Sequence, residues 1–161
     1  MLLIVVRHGE AEPKLSGILD ENRGLTGQGK VSMRNTLMIA KEILGPTVDL
    51  VLSSPLLRAR ESAEIAQTIF GLPGFEVSES LEPEGSPYEV YRSLTKYSQQ
   101  ERVLIVSHQP LVSRILSGLL NWNERHFTFS TSAVAMVEVK ELGANPEGVL
   151  LCLLPSHVKR V

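Results

Sequence analysis

The stretch Leu2-Leu3-Ile4-Val5-Val6-Arg7-His8-Gly9 guides the interpretation of the whole chain. Residues 2–6 are wholly apolar and rich in β-branched side chains. Such a run is typical of a strand buried on both faces of a parallel sheet. Basic side chains follow directly where this strand ends. The sequence therefore predicts a buried first strand whose carboxyl end carries Arg7 and His8.

The rest of the chain alternates between strand-like and helical patterns. Further strands are predicted at residues 48–52, 75–81, 103–107, 133–139 and 149–154, the second of these near a sheet edge. Helices are predicted at 26–44, 55–70, 87–97 and 110–120, and Ser54 is the expected cap of the second. This alternation is typical of a mostly parallel sheet covered by helices. We therefore expect one α/β domain over residues 1–161.

The composition narrows the classes of function. With 16 basic and 18 acidic residues among 161, the net charge of -2 argues against a nucleic-acid partner. No apolar run approaches the roughly 20 residues that span a bilayer, and residues 1–6 lack a signal peptide's basic leader. The single Cys152 cannot form an intrachain disulfide. We expect a cytoplasmic protein with neither a nucleic-acid nor a membrane partner.

Polar residues follow three of the predicted strands. Arg7 and His8 follow the first, Arg58 comes shortly after the second, and His108 follows the strand at 103–107. Ligands of such sheets bind at the carboxyl ends of the strands. Taken singly, each residue has a plainer explanation, such as a helix cap or a solvated charge. Their joint placement predicts a pocket for an anion.

These side chains suit phosphoryl chemistry. Arginine binds phosphate oxygens through paired donors, and a neutral imidazole such as that of His8 can attack phosphorus to form a covalent phosphohistidine. The reaction needs no metal, and the carboxylates do not cluster as a magnesium site requires. The sequence predicts a metal-independent phosphatase without a cofactor.

Three motifs in this order resemble the histidine phosphatase (phosphoglycerate mutase-like) superfamily. They are Arg7-His8-Gly9-Glu10-Ala11, Ser53-Ser54-Pro55-Leu56-Leu57-Arg58-Ala59 and Val106-Ser107-His108-Gln109-Pro110-Leu111. The short length and two further stretches, Arg23-Gly24-Leu25-Thr26 and Phe129-Ser130-Thr131-Ser132-Ala133, resemble its SixA-type branch of phosphohistidine phosphatases. The resemblance covers nearly the whole chain. It implies a phosphoglycerate mutase-like fold with three layers, α/β/α.

The resemblance also implies a role for individual residues. His8 would be the phosphorylated nucleophile, while Arg60 would be peripheral. The other residues of the phosphate pocket would be Arg7, Arg58, His108 and Arg23, the last matching an arginine of the SixA-type branch.

The general acid is the weakest part of the match. Family members that hydrolyse esters carry an acid after the third strand, where Glu82 and Glu84 are the candidates, yet neither lies in a clear acid motif. Imidazole, with a conjugate-acid pKa of roughly 6.5, leaves with less help than an alkoxide. We therefore expect a phosphorylated protein or peptide as substrate, such as a phosphohistidine-carrying signalling domain.

Two other functions stay open. A phosphomonoesterase acting on a small metabolite would turn Glu82 or Glu84 into the pocket, and a non-catalytic phosphate-binding module would need no nucleophile. The P-loop-like residues 24–30 are followed by Val31 instead of Ser or Thr, so nucleotide triphosphate binding is rejected. Trp122, His126 and Phe127 are expected to pack, with contact to a protein partner as the alternative, and no motif surrounds His157.

Overall fold

A computed structural model describes residues 1–45, 47–123 and 129–155 of the chain. The expectations for His126, Phe127 and His157 lie outside these residues, whereas Trp122, expected to pack, is 48% exposed. The strands are β1 (Leu2–Arg7), β2 (Leu50–Ser53), β3 (Glu76–Val77), β4 (Arg102–Ser107), β5 (Val134–Glu141) and β6 (Glu147–Leu154). The helices are α1 (Gly27–Leu44), α2 (Leu57–Phe70), α3 (Pro87–Leu94) and α4 (Leu111–Leu120), with short 3-10 turns at Asp20–Asn22, Glu79–Leu81 and Thr95–Tyr97.

The strands form one mixed sheet in the order β3-β2-β4-β1-β5-β6. The first four strands in this order are parallel, whereas β5 pairs antiparallel with β1 and β6 antiparallel with β5. The antiparallel pair closes with a turn at Gly143, whose φ of 122° is open to glycine but strained for other residues. The sheet is thus parallel where the polar ends of its strands meet. The antiparallel hairpin of β5 and β6 at one edge makes the whole sheet mixed.

The alternating side chains of the central strands bury both faces of the sheet. In β1, Leu3 and Val5 pack in one cluster with side chains of α3 and α4. Ile4 and Val6 pack in a second cluster with side chains of α1 and α2. A strand buried on both faces needs such a continuous apolar run. The α/β/α arrangement with a central sheet is confirmed.

Two local predictions are wrong. The strand expected at residues 75–81 is reduced to Glu76–Val77, and its end is a 3-10 turn that buries Leu81. The apolar residue at the end of the alternating stretch, Leu81, therefore points inward from a turn and not from a strand. Ser54 does not cap α2, which begins at Leu57 after Leu56 in the cap position. The hydroxyl of Ser54 instead contacts a histidine ring of the pocket described below.

Helix α1 begins at Gly27, one residue later than predicted. Thr26 occupies the cap position, where its side-chain oxygen accepts a hydrogen bond from the Gly29 amide at 2.9 Å. The apolar face of the helix is narrower than the sequence suggests. Leu37 is buried, whereas Val31 and Ile43 are exposed. In the described part of the chain, no helix combines the length and apolar character that crossing a bilayer requires.

Candidate active site

The end of β1 anchors the site through backbone and side-chain hydrogen bonds. The Ser132 amide donates to the carbonyl oxygens of both Arg7 and His8, each at 3.1 Å. The Arg7 Nη1 atom donates to the Phe129 carbonyl oxygen at 2.6 Å. Burial lowers the pKa of Arg7 from its ordinary value. The Arg7 Nε atom is buried and has no hydrogen-bond partner among the described residues.

The ring of His8 is held in one orientation by its own chain neighbour. His8 is buried, and its Nδ1 atom lies 2.6 Å from the Gly9 carbonyl oxygen, which can only accept a hydrogen bond. The ring proton therefore sits on Nδ1 and leaves the Nε2 lone pair free. Burial lowers the pKa of His8 to about 4, and the charges of Arg58 and Arg7 act in the same direction against the Gly9 hydrogen bond. The ring is neutral at physiological pH and can act as a nucleophile.

The turn after β1 packs tightly against the start of α1. A Cβ atom on Gly9 would lie 2.9 Å from the Gly29 carbonyl oxygen. A Cβ atom on Gly29 would lie 2.9 Å from the Glu10 amide nitrogen and closer still to the Glu10 carbonyl oxygen. The Gly9 amide also donates to the Ser62 hydroxyl oxygen of α2 at 3.1 Å. Two glycines thus let the turn that carries His8 lie against both helices of one layer.

Arg58 extends from the first turn of α2 and is buried. Its Nη1 atom donates to the backbone carbonyl oxygen of Asp20 at 2.8 Å, and its Nη2 atom donates to Asp20 Oδ2 at 3.0 Å. The other carboxylate oxygen of Asp20 accepts from Arg23 Nε at 3.0 Å and lies 2.8 Å from Arg23 Nη2. One carboxylate therefore joins the two arginines.

Asp20 was not among the residues predicted from the sequence. It lies in the irregular stretch between β1 and α1, three residues before Arg23, where no periodic pattern marks a functional side chain. Its partial burial raises the pKa, but the charges and hydrogen bonds of Arg58 and Arg23 outweigh this effect and lower it. Asp20 is therefore ionised at neutral pH. Only its contacts in the folded chain reveal it.

His108 follows β4 and faces His8, with ring centroids 4.8 Å apart and planes inclined by 54°. Its Nε2 atom lies 2.7 Å from the Ser54 hydroxyl oxygen. That oxygen also accepts from the Leu56 amide at 3.4 Å, so its proton is available to His108 Nε2. This pairing favours a ring proton on His108 Nδ1, a buried atom without a hydrogen-bond partner among the described residues. Burial, followed by the charges of His8 and Arg58, lowers the pKa of His108 to about 2.

These side chains surround one open pocket of about 430 Å³ at the carboxyl ends of β1, β2 and β4. Of the predicted pocket residues, the structure brings together Arg7, His8, Arg23, Arg58 and His108. The sequence reasoning assigned no individual role to several others that line the pocket: Glu10, Ala11, Lys14, Asp20, Pro83, Gln109 and Thr131. The described residues contain no cluster of three or more histidine, cysteine, aspartate or glutamate side chains arranged to hold a metal ion.

The two candidate acids do not line this pocket. Glu82 lines a neighbouring cavity of about 450 Å³ together with Arg60, and Glu84 is exposed. The intervening Pro83 is the residue of this loop that borders the pocket. The loop therefore borders the pocket with the side chain of Pro83, which cannot donate a proton.

The fold and pocket agree with comparisons to known proteins. The sequence pattern of the histidine phosphatase superfamily (branch 1) matches residues 3–82. A phosphohistidine phosphatase SixA homolog of Haemophilus influenzae is 34% identical over 128 residues, which are 74% of this chain and 77% of the relative. The chain belongs to the histidine phosphatase superfamily and is a phosphatase.

Solved structures place the similarity in more detail. The protein histidine phosphatase SixA complexed with tungstate superposes with a TM-score of 0.83 at 28% identity, over 97% of each chain. The chain thus resembles the SixA branch in both sequence and structure. A mycobacterial glucosyl-3-phosphoglycerate phosphatase has the same fold, with a TM-score of 0.73 at 14% identity over 96% of this chain and 99% of that one.

Proposed function

We propose that the chain is a metal-independent phosphatase that forms a phosphohistidine on His8 and removes the phosphoryl group from phosphohistidine in a protein. One observation carries the proposal. Beside the free Nε2 of His8, two buried donors, Arg7 Nε and His108 Nδ1, have no hydrogen-bond partner among the described residues. Buried donors are nearly always paired, and phosphoryl oxygens are acceptors that would pair them.

The reaction proceeds in two balanced steps. His8 Nε2 forms a bond to phosphorus while the bond from phosphorus to the substrate imidazole breaks, and the released imidazole carries its proton on the other ring nitrogen. Water then attacks phosphorus while the bond to His8 breaks. Inorganic phosphate leaves with the protons of the water, and His8 returns to its neutral ring with the proton on Nδ1. Arg7 and Arg58 stabilise the negative charge of the equatorial oxygens in both steps.

The position of the carboxylates favours a phosphoramidate over an ester. An alkoxide leaving group needs a proton donor, whereas an imidazole needs much less help. Neither Glu82 nor Glu84 borders the pocket. Of the two carboxylates that do, Asp20 is engaged by arginines, and Glu10 Oε2 accepts from the Thr26 hydroxyl at 3.0 Å. The 34% identity to the SixA homolog supports the same substrate class.

The rim of the pocket supports a protein as the carrier of the phosphoryl group. Leu15, Ile18 and Leu19 are 59%, 46% and 64% exposed, and they lie in the stretch that also supplies Lys14 and Asp20 to the pocket. Neighbouring exposed apolar side chains are typical of surfaces that contact other proteins. A protein that presents phosphohistidine could cover this rim while its phosphoryl group enters the pocket.

The decisive experiment compares a phosphohistidine peptide with p-nitrophenyl phosphate, each assayed with and without EDTA. We expect a clear preference for the phosphohistidine peptide and no effect of the chelator. The His8→Ala variant should lose at least about a thousandfold in kcat/KM. Loss of wild-type activity in EDTA would disprove the metal-free mechanism, and unchanged activity of the variant would remove the nucleophile assignment.

Matched variants test the pocket and the leaving group. Arg58→Ala should lower kcat/KM at least about a hundredfold, whereas Arg60→Ala, two residues along the same helix, should stay within about twofold. Glu82→Gln and Glu84→Gln should also stay within about twofold for the phosphohistidine peptide. A preference for esters together with a collapse in either glutamine variant would favour the metabolite phosphomonoesterase instead.

A further inference from the structure

Asp20 occupies a special place in the pocket, since its carboxylate lies between two of the cations that face the phosphoryl group. Its side chain is 42% exposed, whereas that of Arg58 is 6% exposed, so the acid sits on the solvent side of the buried guanidinium. Arg58 donates to both the backbone carbonyl and the carboxylate of Asp20, while Arg23 donates through Nε to the other carboxylate oxygen and places Nη2 at 2.8 Å from it. Lys14 Nζ lies 3.5 Å from the oxygen that Arg23 contacts.

The contacts with Arg58 fix the plane of its guanidinium. Two different nitrogens donate to two different oxygens of the same residue, one in the backbone and one in the side chain. A planar guanidinium held at two points cannot rotate about its long axis without breaking one of them. The Arg23 guanidinium is held through Nε and Nη2 on the opposite oxygen. The two arginines are therefore oriented as one unit.

A role for Asp20 as general acid does not fit these contacts. Both carboxylate oxygens accept hydrogen bonds from cations, and such donors stabilise the ionised form. An ionised carboxylate has no proton to give to a leaving group. Its effect on the reaction must pass through the arginines that it holds.

We propose that Asp20 is a positioning residue that aligns Arg58 and Arg23 for the phosphoryl group and thereby sets the affinity of the pocket for it. The proposal rests on the proposed function in one respect, that the pocket at His8 receives the phosphoryl group. It makes a prediction opposite to simple electrostatics. Removing a negative charge from an anion pocket should tighten anion binding, whereas misaligning two arginines should weaken it.

The test is the dissociation constant for inorganic phosphate, measured by titration calorimetry without turnover. Asp20→Ala should weaken phosphate binding about tenfold or more. Asp20→Asn keeps one acceptor and should recover part of this loss. The matched control Glu21→Gln removes the same charge one residue along and should change binding less than about twofold. Equal or tighter phosphate binding by Asp20→Ala would overturn the proposal.

A double-mutant cycle separates positioning from general damage to the fold. If Asp20 acts through Arg23, the combined Asp20→Ala and Arg23→Ala variant should lose less than the product of the two single losses. Fully additive losses in binding free energy would overturn the alignment of Arg23 by Asp20, and the same result with Arg58→Ala would overturn that of Arg58. His8→Ala turnover reports on the nucleophile separately, so a failed nucleophile assignment and a failed positioning role give different results.

Discussion

The reactivity of single residues here depends on how two neighbouring histidine rings are held. The Gly9 carbonyl oxygen accepts a hydrogen bond from Nδ1 of His8, and the Ser54 hydroxyl pairs with Nε2 of His108. Each ring is left with one nitrogen for the ligand, a lone pair on His8 and a donor on His108. Burial keeps both rings neutral, which a nucleophile at phosphorus requires.

The pH dependence of catalysis should show the lowered pKa of His8. Because that pKa is about 4, the ring stays unprotonated well below the ordinary range of histidine. We expect kcat/KM for p-nitrophenyl phosphate to hold as the pH falls from 7 and to drop only near pH 4, as initial rates would show. The ester is used because phosphohistidine itself is acid-labile. A drop centred at the ordinary value would contradict the assignment.

Ser54 should matter to catalysis through His108. Ser54→Ala removes the hydroxyl that lies 2.7 Å from His108 Nε2, so the ring loses its fixed tautomer. We expect kcat/KM to fall about tenfold with little change in melting temperature. The control is Ser53→Ala, whose hydroxyl donates to the Ser54 carbonyl oxygen at 2.9 Å instead of pairing with a ring nitrogen. An equal loss in both variants would argue against this role.

At the scale of elements, the site depends on how closely the turn after β1 approaches the start of α1. A Cβ atom on Gly9 would meet the backbone of Gly29, and one on Gly29 would meet the backbone of Glu10. Backbone cannot give way as the end of a flexible side chain can. The glycine pair thus sets how near His8 lies to the helices of one layer.

Replacing Gly29 with alanine should force these two elements apart. Its Cβ atom would lie 2.9 Å from the Glu10 amide nitrogen, so we expect a loss of about 2 kcal/mol in the free energy of unfolding and a marked loss of activity. Gly27→Ala, two residues earlier, meets nothing within 4 Å and should be neutral or slightly stabilising. Urea titration checks both variants. Equal stability of the two would contradict the close approach.

At the scale of the whole molecule, the polar site is carried at one edge of a sheet that is buried on both faces. The four parallel strands bring the ends of β1, β2 and β4 together, and the hairpin of β5 and β6 covers the far side of β1. The folded chain therefore encloses two neutral histidines that the unfolded chain exposes to water. This difference couples stability to pH.

The protein should lose stability in mild acid. The folded pKa of His8 is below its unfolded value, so the unfolded chain binds more protons as the pH falls below about 6.5. Between pH 7 and pH 5 this linkage should remove about 2 kcal/mol of unfolding free energy for His8, and the linkage continues towards pH 4. Urea titration of the wild type and a His8→Asn variant should show a weaker pH dependence in the variant. If the unfolding free energy fell equally with pH in both proteins, His8 would be excluded as a cause of the pH dependence.

Much of the fold could be predicted because the relevant signals are local. The apolar runs that became β1 and β4 and the turn residues between elements are patterns within a few neighbours. The short strand Glu76–Val77 could not be predicted, since whether an alternating stretch pairs or turns depends on its neighbours in space. The exposed Val31 in α1 has the same origin, because packing against the sheet and α2 decides which stripe of the helix is covered.

The sequence by itself pointed to the chemistry of the pocket. Arg7, His8 and His108 stand at the ends of strands whose burial is encoded in adjacent residues, and Arg58 stands in the first turn of the helix after β2. Only the tertiary structure decided how these groups are held. Asp20 and Ser54 are ordinary loop residues until folding brings them to a guanidinium and a ring. The physical reason is the range of the forces: apolar periodicity is written along the chain, whereas a hydrogen bond depends on two distant segments meeting within about 3 Å.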